Sequence, residues 1–547
     1  MSEPGSGAHR LHAVRVHAND DVTVAVAVQE GVKIQVPGSS DHPTLSGALV
    51  RSHALHERSV DLPTMGMLSL PERALQFGTG ALLRGFVDFF LDEANRRGQF
   101  GGRVVAVSST GSGRDRRLND QDGLYTLVVQ GRSDGVVRRD CRVIASVSRA
   151  LSVAHDWSEV LRVSESPALE FIFSNTTEVG IVLDEEDAVA GAAGGPPRSF
   201  PARLTRLLLL HRARQCKYDV TRAPVVSPCE LIERNGDTLR GIVRTLAERW
   251  MAEPEFITWL DAVPFCNTLV DRIVPGAPGS DQARELGTSL GYDDALITMC
   301  EPYRLFAIEG DSALRARLRF AGADAGIIVV EDIAPFRQRK VRLLNGAHTS
   351  LVPLALLAGC TTVRDAVEHP LLGAFLQTLL FDEIVPSISV PDAKEFALEV
   401  LERFANPYLD HALWDITLQG TAKLRVRLVP SIVSYAQRTG GPPRALALGF
   451  AGYLAFQRGE LHEMRRARGD VVPVDLLAEV VRRAWHGTSD AAADLRALAL
   501  RVARDEELWG TDLTTVPGFA NAVGEHLVRI RHEGISAAIA GFIGVPA

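Results

Sequence analysis

Residues 340–350 read KVRLLNGAHTS, which sets Lys340, Asn345 and His348 within one short stretch. Side chains of these types move protons and donate hydrogen bonds to a developing oxyanion when they share a site. On a regular α-helix Asn345 and His348 stand about 60° apart, and Lys340 about 80° from His348, near enough for its long side chain to swing to the same spot. Gly346 and Ala347 are expected to keep that face low, so that a ligand reaches the backbone. Spacing permits a shared site without requiring one. A solvated lysine, an asparagine near a cap and a core histidine satisfy the same pattern.

The chain around this stretch carries elements able to position it. RALQF (73–77) reads as a buried strand and GTG (78–80) as a turn; Leu83, Phe86, Val87, Phe90, Leu91 and Ala94 then follow at helical spacing. RVVAV (103–107) is a second buried strand. Further strands are predicted at 124–130, 136–147, 169–174 and 224–227, with helices near 202–214 and 237–252. This alternation predicts an α/β fold with a mostly parallel, doubly wound sheet. After about residue 331 helical patterns succeed one another at 341–358, 370–381, 392–404, 422–437, 443–457, 475–485 and 489–503. The expected organisation is therefore an N-terminal extension over 1–68, a Rossmann-like dinucleotide-binding domain over 69–330 and a mainly helical substrate domain over 331–547. The valine-rich alternation at 13–36 predicts short strands and resembles the opening of an SAF domain, and AGAAGGPPR (190–198) reads as a surface loop.

Gly78-x-Gly80 lies between strand and helix, where glycines permit a tight turn and let backbone N–H groups approach a pyrophosphate. Phe77, Gly78, Thr79, Gly80, Ala81 and Arg84 are the candidates for that contact, Arg84 standing where the usual third glycine would be. The end of the second strand, AVSSTGSGR (106–114), offers Ser108, Ser109 and Thr110, with Arg114 nearby, instead of the acidic residue that selects NAD over NADP. Ser108 is the candidate there; NAD is the expected cofactor, with NADP left open. Asn175 and Thr176 follow the strand FIFS, at a sheet end suited to a nicotinamide ribose.

Composition narrows the class. A net charge of −8 gives no basic excess for nucleic-acid binding, and 46% apolar with 23% charged residues is ordinary for a soluble globular protein. The six cysteines are scattered without a CxxC pair, so neither a disulfide framework nor a metal site is expected. MSEPGSGAHRLHAV has no apolar stretch of the signal-peptide kind, and ALALGFAGYLAF (445–456) is too short to span a bilayer and reads as a buried helix. A cytoplasmic enzyme of small molecules fits best.

KVRLLNGAHTS resembles the lysine-x4-asparagine-x2-histidine signature of polyol-specific long-chain dehydrogenases, the mannitol dehydrogenase family. FGTGALLRGF, NDQDGLYT (119–126), NTLVDRIVP (267–275) and RFANPYLDH (403–411) extend the likeness in the family's order over roughly 70–547. FIFSNTTEVGI (171–181), PARLTRLL (201–208), PCELIERNGDTLR (228–240), GTAKLRVRLVP (420–430) and WGTDLTTVPG (509–518) resemble the family's uronate-reducing branch. The mannitol branch carries an asparagine after the acidic residue of its CDN segment, where this chain has Leu231. In the glycine turn Ala81 replaces the asparagine usual for the uronate branch.

The resemblance implies hydride transfer to a ketone, with Lys340 as general acid/base, Asn345 donating to the oxyanion largely alone and His348 orienting substrate hydroxyls. It implies reduction of D-tagaturonate to D-altronate; D-fructuronate to D-mannonate, a polyol–ketose pair, an epimerase with bound NAD and a non-catalytic dinucleotide-binding protein are the alternatives. Asp271 and Arg272 lie where the family borders its active site, although a structural salt bridge explains them as well. Lys423 and Arg427 share a helix face at i, i+4, with Arg425 turned away, and suit the carboxylate of a sugar-acid substrate; a solvated face suits them too.

Overall fold

A computed structural model describes residues 13–17, 23–27, 42–52, 54–55, 58–109, 113–176, 180–190, 195–216 and 219–544. The chain divides into two units, Met1–Pro43 and Thr44–Ala547. In the first, β1 (Ala13–His17) and β2 (Thr23–Ala27) pair antiparallel, and the rest of the SAF-like segment lies outside the described residues. So do Thr110 and residues 191–194 of the expected surface loop.

The strands of the second unit are β3 (Glu72–Phe77), β4 (Arg103–Ser108), β5 (Tyr125–Ser133), β6 (Val136–Ile144), β7 (Val147–Ser152), β8 (Phe171–Ser174), β9 (Val225–Pro228), β10 (Thr268–Asp271), β11 (Thr298–Cys300), β12 (Leu305–Glu309) and β13 (Ile327–Val330). Five of them form an all-parallel sheet in the order β7-β4-β3-β8-β9. In β3, β4 and β8 its residues alternate between two cores. Ala74, Val104, Ala106, Phe171 and Phe173 face the helix Val87–Arg96 and Phe306. Leu75, Phe77, Val105, Val107 and Ile172 face the helices Trp157–Ser164, Phe200–His211, Asn235–Arg249 and Pro254–Ala262. Burial on both faces is why these strands read as continuous apolar runs. Two three-stranded sheets, β11-β5-β6 and β10-β12-β13, flank this core. Leu45, Val50, Leu55 and Met67 pack with Leu124, Val128 and Val143 of the β5–β6 region.

The strand predicted at 136–147 is two strands in different sheets. At the break, Ala145 N–H donates to Asp92 Oδ1 at 2.9 Å and Ser146 Oγ to Asp88 O at 2.7 Å. The helix Val87–Arg96 thus turns the chain where local propensity would continue it. The helix after the glycine turn is likewise broken, into Ala81–Gly85 and Val87–Arg96, at Phe86.

No strand of the described residues lies beyond Val330. The run ALALGFAGYLAF forms the buried helix Arg444–Gln457, which crosses the helix Gly346–Leu357. A Cβ at Gly449 would collide with Ser350 and one at Gly452 with Leu354, so glycine sets the closeness of that crossing. The helix predicted at 422–437 is split into Gly420–Arg427 and Val429–Thr439, with Pro430 in the first turn of the second, where its missing N–H costs no bond.

Candidate active site

The C-terminal ends of the parallel strands carry the glycine turn. Gly78 has φ +130°, and a Cβ there would stand 2.8 Å from Leu83 Cδ1 and 3.0 Å from the Asn175 carbonyl oxygen, so only glycine fits without strain. Gly80 caps the short helix that follows, and a Cβ on it would meet nothing within 4 Å. That open backbone suits the close approach of a dinucleotide pyrophosphate. Phe77 turns its ring into the core against Phe200 at 4.9 Å and offers the turn only its carbonyl, which accepts from Asn175 N at 3.0 Å. Ala81 is half-buried. Ser108 is buried at the end of β4, whereas exposed Ser109 accepts from Arg203 Nη1 at 2.7 Å.

Arg84 does not present its charge outward as a phosphate ligand would. Its guanidinium is buried, donates to Thr298 Oγ1 at 3.0 Å and to the Thr79 carbonyl, and lies over the Tyr125 ring at 5.8 Å. It braces the turn from below. Asn175 and Thr176 sit beside Gly78, held by a carboxylate to which the sequence reading gave no role. Glu230 Oε1 accepts from Thr176 N at 2.9 Å and Oγ1 at 3.0 Å, and its Oε2 from Ser174 Oγ at 3.0 Å. Burial raises the Glu230 carboxyl, and these donors offset part of that rise. Asn175 Nδ2 donates to Cys229 O at 2.9 Å.

Lys340, Asn345 and His348 do not begin a helix. They lie inside one that runs as α-helix over Ala334–Arg339, π-helix over Lys340–Asn345 and α-helix over Gly346–Leu357. The i→i+5 pairing of a π-turn brings residues five apart onto one face, so the x4 spacing of lysine and asparagine is the spacing of that turn. On a uniform α-helix the two would stand about 140° apart. Gly346 and Ala347 offer no clearance for a ligand: both are buried, and a Cβ at Gly346 would touch Leu428 Cδ2 at 3.4 Å.

Lys340 Nζ reaches out of this helix to the sheet, donating to Val270 O at 2.8 Å with Asp271 Oδ1 at 3.5 Å. Asp271 is 4% exposed and is gripped by Arg403, Nη2 to Oδ1 at 2.9 Å and Nη1 to Oδ2 at 3.1 Å. Burial would raise this carboxyl; Arg403 and Lys340 outweigh it and hold Asp271 below its usual range. Asn345 is half-buried, and among the described residues its carboxamide has no protein hydrogen-bond partner. His348 is buried, stacked on Phe404 at 3.9 Å and edge-on to His411 at 5.5 Å. Burial, then His411, Arg427, Arg403 and Lys423, push its imidazole well below the ordinary value, so it is neutral at pH 7.

Arg272 is separated from this cluster. Arg272 is the residue after the end of β10, and although it is buried like Asp271 its side chain takes different partners. It donates to Glu301 O at 2.9 Å and Gly85 O at 2.7 Å and lies 4.6 Å over the Phe89 ring. It is structural rather than substrate-facing. Lys423 and Arg427 are half-buried while Arg425 is exposed, as the helical spacing predicts. Arg427 Nη1 donates to Thr349 Oγ1 at 3.2 Å, one residue from His348, and burial lowers its guanidinium to about 10. Lys423 donates to Ile416 O at 3.0 Å, and burial followed by Arg427 lowers its amine.

Glu230, Glu301, Arg403 and His411 are not marked by spacing or motif position as site residues. Arg403 and His411 fall within RFANPYLDH and Glu230 within PCELIERNGDTLR, so the stretches were visible, but spacing along the chain does not reveal whom a side chain meets.

Two family models cover most of the chain: the mannitol dehydrogenase Rossmann domain over 72–322 and the mannitol dehydrogenase C-terminal domain over 332–531. Altronate oxidoreductase of Bacillus subtilis is 40% identical over 470 residues, 86% of this chain and 95% of that protein. The altronate oxidoreductase of Pectobacterium carotovorum is 39% identical over 86% of this chain and 97% of its own length. A ternary complex of Pseudomonas fluorescens mannitol 2-dehydrogenase with NAD and D-mannitol shares the fold at TM-score 0.65 and 22% identity, over 92% of this chain and 100% of that one. A substrate-free D-sorbitol dehydrogenase does so at 0.71 and 22%, over 91% and 100%. Among the described residues no helix is long and apolar enough to cross a membrane. A glycine turn at the end of a parallel sheet, a lysine–asparagine π-turn and both family models in order establish that the chain belongs to the mannitol dehydrogenase family of oxidoreductases, enzymes that act on a CH–OH group of a small molecule.

Proposed function

We propose that this chain is a tagaturonate reductase, interconverting D-tagaturonate and D-altronate with NAD in hexuronate catabolism. The observation that carries this reading is the 39–40% identity to altronate oxidoreductases over 86% of this chain. Two half-buried cations beside His348, Lys423 and Arg427, support it, since a uronate brings a carboxylate that a polyol lacks. We read 69–330 as the dinucleotide-binding domain and 331–547 as the substrate domain. We place the enzyme in the cytoplasm, consistent with the buried thiols of Cys229, Cys266 and Cys300, whose pKa values burial raises.

Gly78, Thr79, Gly80 and Ala81 hold the dinucleotide in this reading, with Asn175 and Thr176 toward the nicotinamide ribose. When bound, the reduced nicotinamide supplies the hydride that the carbonyl carbon accepts. Lys340 gives its proton to the carbonyl oxygen and takes one back in the reverse direction. Asn345 donates to that oxygen as negative charge develops on it. Neutral His348, fixed by Phe404, positions a substrate hydroxyl, and Arg427 and Lys423 receive the carboxylate. Leu231, 59% exposed, supplies no second oxyanion donor.

The test is oxidation of altronate, mannonate and mannitol side by side, each with NAD and NADP. Altronate with NAD is expected to give the highest kcat/KM. No NADH from altronate, with clear turnover of another substrate, would sink the reading.

A further inference from the structure

The ion cluster behind Lys340 has an asymmetry that hydride transfer by itself does not require. Asp271 Oδ1 is the carboxylate oxygen paired with Lys340 Nζ, at 3.5 Å, but Arg403 Nη2 already engages it at 2.9 Å. The one short bond of Lys340 goes instead to the uncharged Val270 carbonyl, at 2.8 Å. Arg403 is fixed from its other side by Glu301, Nε to Oε2 at 3.0 Å and Nη2 to Oε1 at 2.8 Å, and its guanidinium lies 4.2 Å over the Tyr303 ring. Glu301 is itself held by Ile273 N–H at 2.6 Å. Arg403 sits in the last turn of the helix Ala393–Phe404, where a cation also complements the helix dipole.

We propose that Arg403 is a positioning residue for proton transfer: by occupying both oxygens of Asp271 it weakens that carboxylate's hold on the Lys340 ammonium, 3.5 Å away, and so leaves Lys340 able to exchange its proton with substrate. This rests on Lys340 being the acid/base. A buried carboxylate facing a lysine alone would form a full ion pair and hold the ammonium charged. A bidentate guanidinium removes that demand, and only arginine has the planar fork for two carboxylates at once. Other charged or titratable groups surround the cluster. Glu399, on the same helix as Arg403, couples to Asp271 and Arg403, with Arg339 and Glu402 acting on Glu399; Tyr303 couples to Asp271 and Arg403, Arg272 to Glu301, and His348 to Arg403, with His411, Lys423 and Arg427 acting on His348.

The proposal predicts shifts of opposite sign. Removing Arg403 leaves Asp271 to act on Lys340 alone, which favours the ammonium; removing the Asp271 charge disfavours it. The kcat/KM of altronate oxidation is to be followed from about pH 6 to about pH 10 for the wild type, Arg403→Met, Arg403→Lys, Asp271→Asn and the double variant, with NADH binding by fluorescence as the check on folding. In Arg403→Met the limb that reports loss of the base is expected to move up by about one pH unit, and the optimum rate to fall about 10- to 100-fold. In Asp271→Asn the limb moves down, in Arg403→Lys it lies between wild type and Arg403→Met, and in the double variant it returns toward wild type. Arg403→Lys and Asp271→Asn carry the test if Arg403→Met does not fold. Limbs that stay fixed, or move in the same direction, in variants that bind NADH would overturn the proposal and leave Arg403 as a strut. Failure of the underlying assignment is seen separately, as turnover retained by Lys340→Ala.

Discussion

The glycine turn at 77–81 and the lysine helix at 334–357 hold their parts by different means. At the turn the working surface is backbone: Gly78 takes a left-handed φ beside the Asn175 carbonyl, and Arg84, Asn175 and Glu230 lock main-chain groups in place. On the lysine side the working surface is side chains from separate elements. Lys340 comes from a π-turn, Asp271 from β10, Arg403 from a helix end and Arg427 from another helix. The difference teaches where function is vulnerable. A backbone cradle fails mainly in binding, whereas a side-chain cluster fails in turnover.

Lys340→Ala is the sharpest attempt to break this contrast. It is expected to lower kcat by about 10³-fold with NADH affinity unchanged, measured by steady-state rates and fluorescence titration. Arg427→Met is expected to raise KM for altronate about 10- to 100-fold, the loss of one charge-assisted hydrogen bond, while barely changing the slow use of a neutral polyol. Equal losses on both substrates would remove Arg427 from the carboxylate site.

Gly78→Ala tests the other side. Strain at φ +130° and the 2.8 Å approach to Leu83 Cδ1 are expected to cost about 1–3 kcal/mol, seen as a weaker NADH dissociation constant with kcat at saturation nearly preserved. A collapse of kcat with intact NADH binding would reverse the comparison.

The smallest effect is in stability, away from both sites. Glu383 accepts from Ala445 N at 2.6 Å and Leu446 N at 2.8 Å, and burial pushes its carboxyl up to about 7. The folded state therefore holds this proton more tightly than the unfolded chain, whose glutamate titrates near 4.3. Stability from this group is complete below about pH 4 and is lost as pH rises toward 7, by up to about 3 kcal/mol. Glu383→Gln is expected to flatten the fall in Tm over that window.

Much of this was legible along the chain, for reasons particular residues make plain. Leu75, Val105 and Ile172 alternate with Ala74, Val104 and Phe171 because a doubly covered sheet buries both faces, and that pattern is local. The four strands between 268 and 330 were not predicted, and length is not the reason: they have three to five residues, while β8 and β9, of four each, were visible as apolar runs. Arg272 looked like a partner of Asp271, since adjacency in sequence hides that its guanidinium goes to the Glu301 and Gly85 carbonyls instead. Arg403 went unassigned because its partners lie 132 and 102 residues away.

The sequence by itself determined the parallel sheet, the glycine turn, the helical second half and the presence of Lys340, Asn345 and His348 as a group. The first three follow from periodicity and spacing, which are properties of neighbours; the grouping follows from the likeness to the polyol dehydrogenase signature, since spacing alone permitted a shared site without requiring one. Only the tertiary structure decided that Lys340 and Asn345 share a π-turn, that Gly346 faces protein, that Arg84 braces the turn from beneath and that Arg403 and Lys340 share Asp271. Each depends on which distant elements a side chain meets, and those meetings are fixed by packing of the whole chain.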